Sequence, residues 1–239
     1  MKLLRILRDI IYLQLKDKST LVVVASYPKT GSTLLRKRLV IATSKRTMVT
    51  HEVVNSISPE IGHGRIARLS KGWLIIKTHH WILTRVIGAT CVFTIREPFD
   101  TVASYFEYRK RLGLNSEEES FRMFWRSKNG MSRYIEYLSF LSQNKNDPRF
   151  ILLKYSDMLE GSERYFHDLL LRLNINSRIS VEKIYTLTSR AVSVSLERSS
   201  QDSSLSDFST KKNYSVYAGD LDESDLKSLR KAERLYESL

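Results

Sequence analysis

Three short polar clusters, each at the end of an apolar run, hold the residue types that could do chemistry. The first is Ser26-Tyr27-Pro28-Lys29-Thr30-Gly31-Ser32-Thr33, which follows the β-branched run of residues 21–25. That run does not alternate, as expected of a parallel strand buried on both faces. Pro28 and Gly31 break it, and Leu35, Leu39 and Ala42 then recur at helical spacing. A strand–loop–helix turn presents backbone N–H groups and the positive end of a helix dipole to an anion. Lys29 adds a full charge, and Thr30, Ser32 and Thr33 add hydroxyl donors, so the stretch reads as a phosphate cradle. It differs from the usual triphosphate loop G-x-x-x-x-G-K-[ST], whose lysine follows the second glycine. Here Ser26 stands in the first glycine position, Ser32 in the lysine position, and Lys29 comes before Gly31.

The second cluster, Lys77-Thr78-His79-His80, closes the run Trp73-Leu74-Ile75-Ile76. Its place at the carboxyl end of a buried strand is where open α/β sheets gather their ligands. Neighbouring strand residues point to opposite faces, so His79 and His80 should not enter one site or share a metal. The third, Arg96-Glu97-Pro98-Phe99-Asp100-Thr101-Val102-Ala103-Ser104, follows the strand-like run that ends at Ile95. Pro98 suits the first turn of a helix. Phe99, Val102, Ala103 and Phe106 then form its core face, while Asp100, Ser104 and Tyr108 share another. Arg96 at the strand tip and Ser104 on the second turn can converge on one anion, a fork and a hydroxyl.

Taken together, P-K-T-G-S-T, K-T-H and R-E-P-F-D-T-V-A-S resemble the motifs of the sulfotransferases that use 3′-phosphoadenosine 5′-phosphosulfate (PAPS). The resemblance is firm over about residues 20–110 and thinner beyond. It implies a single α/β domain over residues 1–239, with a central, mainly parallel sheet between helices on both faces, like that of P-loop nucleoside triphosphate hydrolases. It also implies transfer of a sulfuryl group from PAPS to a hydroxyl or amine of a glycan, lipid or small molecule, without a metal. His79 matches the family's catalytic base, with Lys77 as an assisting cation and Lys29 at the leaving phosphate. Lys29, Thr30, Gly31, Ser32 and Thr33 match the 5′-phosphate loop, and Arg96 and Ser104 the 3′-phosphate site, with Glu97 a mild departure. Tyr155, in the place of the family's Y-E-D-[ML], is expected near the adenine, with Ser156 where Glu is usual. Tyr217-Ala218-Gly219-Asp220-Leu221 resembles a G-D-W element with Leu221 for Trp. No R-K-G precedes it at the family's offset, so Lys211 and Lys212 are the nearest candidates to close over the 3′-phosphate.

The rest of the chain sets bounds. With 239 residues, 42% hydrophobic and 27% charged, it can bury a substantial core. A net charge of +13 and a pI near 9.8 favour anionic partners without choosing among them. The nucleotide donor is the partner expected here, rather than nucleic acid. The lone Cys91 lies in an apolar run, so a buried, reduced thiol and a cytoplasmic chain are expected. Residues 1–18 read as an amphipathic helix, too charged for a signal peptide and too short to span a bilayer. Its apolar residues Leu3, Ile6, Leu7, Ile10 and Ile11 either pack on the domain or contact a membrane surface. Residues 44–72 are polar and basic and could line an acceptor site; His51-Glu52 fails the H-E-x-x-H pattern because Asn55 stands in the fifth position. Phe121, Phe124 and Trp125 suit an acceptor pocket or the core. Residues 193–215 read as a mobile Ser-rich loop and residues 222–239 as a closing helix. Two other functions fit part of this pattern: a P-loop nucleotide kinase or NTPase, and a non-catalytic basic anion-binding module.

Overall fold

A computed structural model describes residues 2–44, 51–62, 66, 72–116, 118–159, 163–189 and 214–239. Four strands form one all-parallel sheet in the order β2-β1-β3-β4: β1 (Leu21–Ser26), β2 (Leu74–Thr78), β3 (Thr90–Ile95) and β4 (Phe150–Lys154). The apolar runs lack alternation because both sheet faces are covered. Leu21, Val23, Ile76, Cys91 and Phe93 face one core, and Val22, Val24, Ile75, Val92 and Ile151 face the other.

The first face is closed by α5 (Pro98–Arg111), α6 (Phe121–Arg126), α7 (Met131–Asn144) and, at the carboxyl end, α11 (Glu223–Glu237). The second is closed by α2 (Ser32–Thr43), α3 (His51–Ile57), α9 (Glu163–Arg172) and α10 (Val181–Leu187). Short helices α4 (Thr84–Ile87) and α8 (Tyr155–Leu159) follow β2 and β4. This is the expected single α/β domain. Phe121, Phe124 and Trp125 are at most 2% exposed and belong to the core, so they do not line an acceptor pocket. Burial also pushes the Cys91 thiol up to about 12, which leaves it unreactive.

At the first helix, α1 (Lys2–Leu15), the five apolar residues open to packing or to membrane contact divide. Ile6 and Ile10 are partly buried, while Leu3, Leu7 and Ile11 are 68%, 48% and 62% exposed. Asp9 and Leu13 are the buried positions. The rotation of the helix follows from Asp9, whose Oδ2 accepts the Gly62 N–H at 2.8 Å and whose Oδ1 lies 3.3 Å from Arg8. A buried carboxylate needs such donors, and they set which side of the helix turns inward. Gly62 also admits Ile6, whose Cγ1 would stand 3.0 Å from a Cβ at that position.

Candidate functional site

The loop after β1 is shaped by two left-handed residues, Lys29 (φ 69°) and Gly31 (φ 100°). The first is costly for a side-chain-bearing residue and is the kind of strain that persists where a loop is over-determined. Thr30 supplies that determination. Its hydroxyl bonds the Tyr27 carbonyl and the Thr94 hydroxyl, each at 2.8 Å, so its side chain holds the loop to β3. Gly31 precedes α2 as its N-cap, and no side chain caps the amides of Ser32 and Thr33. Such donors and the dipole of a twelve-residue helix can attract an anion.

Sheet register then places the other two clusters around that loop. Ala25 pairs with Thr78, so His79 comes opposite Ser26. Its Nδ1 lies 2.8 Å from the Ser26 carbonyl and 3.3 Å from the Ser26 hydroxyl. A carbonyl only accepts, so Nδ1 carries the proton and Nε2 is left as the basic nitrogen. Burial, and after it the Lys77 ammonium, pull the imidazole down to about 4, so the ring is neutral at pH 7. A neutral, oriented imidazole beside such a loop can accept a proton from a hydroxyl. His80 is exposed, and its N–H bonds the Thr78 hydroxyl at 2.9 Å. Both histidines lie just beyond the end of β2, so strand alternation does not govern them.

On the far side, Ile95 pairs with Lys154, which brings Arg96 opposite Tyr155. The guanidinium lies 4.8 Å from the Tyr155 ring centroid, and its Nη2 is 3.3 Å from Asp100. Tyr155 also packs under Gly31: a Cβ there would stand 2.5 Å from Tyr155 Cδ2 and 2.7 Å from Met158 Cε. One aromatic ring thus joins the anion loop to the arginine. Ser104 is buried on α5, on the helix side that carries Asp100. Lys211 and Lys212 lie outside the described residues. Tyr214, which follows closely, is buried and near enough to Tyr155 to help raise its ionisation, a shift due chiefly to burial.

Several residues here escaped the sequence reading. Glu60 lies 3.3 Å from Lys77 Nζ and pairs alongside β2, with Ile61 N–H to the Lys77 carbonyl and Lys77 N–H to the Pro59 carbonyl, each at 2.9 Å. Burial lowers the Lys77 ammonium, and Glu60 opposes that shift. Arg36 on α2 is buried and donates to Ser58 Oγ at 3.0 Å and Asn55 Oδ1 at 3.2 Å, fixing the segment that carries Glu60. Arg38 bonds Thr188 at 3.2 Å and the Met158 carbonyl at 2.8 Å. Lys29 Nζ lies 4.8 Å from the Tyr108 ring centroid. Glu60 had a faint signal, as a carboxylate inside a basic stretch; Arg36 and Arg38 had none, because a buried arginine in a helix looks like a surface one.

Among the described residues, no group of three or more His, Cys, Asp or Glu side chains comes together to hold a metal, and no helix is long and apolar enough to cross a membrane. A profile of the Sulfotransferase domain family matches residues 19–189. Curated proteins show no match to the sequence. Solved structures do. The mouse sulfotransferase SULT7A1 complexed with PAP aligns at a TM-score of 0.62 and 15% identity, over 94% of this chain and 87% of that one. Retinol dehydratase in a complex with retinol and PAP aligns at 0.61 and 19% identity, over 96% and 84%. At such identities the likeness speaks for the fold; the profile match speaks for the family.

Proposed function

This chain belongs to the sulfotransferase family, and from that premise we propose that it transfers a sulfuryl group from PAPS to an acceptor hydroxyl or amine. The observation that carries the reading is the convergence of the three motifs at the carboxyl ends of β2, β1 and β3, with His79 against Ser26 and Arg96 against Tyr155. The PAP in the two similar structures fits such a site, since it is the desulfated form of PAPS.

In this reading the amides of Gly31, Ser32 and Thr33 hold the 5′-phosphate, and Arg96 and Ser104 hold the 3′-phosphate. Tyr155 supports both and lies near the adenine. Lys29 stabilises charge growing on the leaving phosphate oxygen. His79 Nε2 takes the acceptor proton as the acceptor oxygen or nitrogen attacks sulfur and the S–O bond to phosphate breaks in line. Lys77, held by Glu60, adds positive charge beside the transferred group. No metal has a part in these steps. The acceptor is a glycan, lipid or small molecule, met in the cytoplasm or at a membrane that residues 1–18 touch from that side.

Calorimetry with adenosine 3′,5′-bisphosphate against ADP, on wild type and Arg96→Ala, tests the donor. Tight binding of the bisphosphate without Mg²⁺, selectively weakened by Arg96→Ala, is the expected result. Preference for ADP, or no binding of either, would overturn it.

A further inference from the structure

A helix on a globular surface buries one apolar stripe and shows water a polar face. α1 departs from that rule. Its inner side packs through Ile6, Asp9 and Leu13. Its outer side carries Leu3, Leu4, Leu7, Ile11 and Leu15, which are 48–83% exposed and follow one another at helical spacing. Apolar residues are exposed also on α4, which packs against α1, and on the turn before α4. Ile82 and Val86 are 63% and 53% exposed there, and the Gln14 amide bonds the Val86 carbonyl.

The charge beside this surface is mainly positive, although Arg8 pairs with Asp9 and the exposed Asp17 follows Leu15. Arg5 and Arg8 are exposed on α1 and Arg85 on α4, whereas the one acid of α1, Asp9, is buried against Gly62. Apolar residues flanked by arginines, on a chain of net charge +13, match a layer of acyl chains beneath anionic headgroups. A polar protein partner would leave the leucines uncovered. Ile82 follows His79 closely in sequence.

We infer that the outer face of α1, together with Ile82 and Val86, docks the protein on an anionic lipid bilayer. The inference rests on the sulfotransferase reading only for its purpose, which is to bring a membrane-borne acceptor to His79. α1 would lie in the headgroup plane with its leucines inserted.

Co-sedimentation with phosphatidylcholine vesicles, with and without about one-third phosphatidylserine, tests it on the full chain. Wild type should partition onto the anionic vesicles and weakly onto the neutral ones. The double variant Leu7→Asp, Ile11→Asp should lose at least about a hundredfold in partitioning. Ile82→Ser with Val86→Ser should lose about tenfold, and Arg5→Gln about fivefold, on anionic vesicles only. The proposal falls if wild type ignores both vesicles, or if Leu7→Asp, Ile11→Asp partitions like wild type. It also falls if sedimentation velocity shows a dimer that this variant dissolves while vesicles stay unbound, for the face would then cover a second copy. Calorimetry with adenosine 3′,5′-bisphosphate on the same preparations separates the two readings. Nucleotide binding without vesicle binding sinks the docking alone; vesicle binding without nucleotide binding sinks the sulfotransferase assignment alone.

Discussion

At the proposed nucleotide end of the site, the groups from Lys29 to Thr33 and from Arg96 to Ser104 are close neighbours in sequence, and the donors offered are largely backbone amides. At the acceptor end, His79 depends on groups from separate stretches: the Ser26 carbonyl that fixes its tautomer, Lys77 beside it, and Glu60 behind Lys77. The first end is a local design, written in two turns that each follow a strand. The second is an assembled one, in which a charge on one segment sets the protonation of another. A ligand common to a whole family suits the first kind of construction. An acceptor that differs from member to member suits the second, because loops can change without disturbing the strand ends.

The sharpest way to divide the two ends is His79→Ala. It should cut transfer from labelled PAPS by about a hundredfold to ten-thousandfold while leaving the affinity for adenosine 3′,5′-bisphosphate unchanged in calorimetry. Equal loss of both would mean that the ends are not separable. Arg96→Ala should do the reverse, weakening the bisphosphate by about ten- to a hundredfold through loss of charge-assisted bonds. ADP affinity should move little.

Gly31→Ala asks whether the loop needs its left-handed glycine. Its Cβ would meet Tyr155 and Met158 at 2.5 and 2.7 Å in a backbone conformation that alanine resists. A loss of about 1–3 kcal/mol in thermal unfolding is expected, with nucleotide binding weakened beside it. The smallest effects concern the assembled end, read by NMR titration of His79. In wild type the ring should stay neutral down to about 4. Lys77→Met removes a neighbouring positive charge and should raise that value, and Glu60→Gln removes a negative one and should lower it. The ordinary imidazole value is 6.5, above the folded one, so the unfolded chain binds more protons between the two. Stability from this group is therefore complete above 6.5 and lost as the pH falls toward 4. Denaturation midpoints across that window should drop least in Lys77→Met.

How much of this was legible in the chain varied with the range of the interaction. The strands, the loop and the helix after Arg96 follow from apolar runs, a proline at a helix start and a glycine at a turn. Asp9 and Arg36 were not legible as site or packing residues, and Glu60 only faintly, since each acts on a partner far along the chain. Periodicity also left open which side of α1 turns inward. The helix is apolar on both sides, and pattern alone has no means of choosing between them.

By itself the sequence determined the parallel α/β domain and the strand–turn–helix shape of the loop after β1, because each depends on backbone geometry within a few residues. Only the tertiary structure decided that Thr30 ties the loop inward, that Tyr155 joins Gly31 to Arg96, that Lys77 is held by Glu60, and that α1 turns its leucines outward. Those outcomes rest on burial and on partners for buried charge, and a one-dimensional pattern does not say where a charge will find its partner.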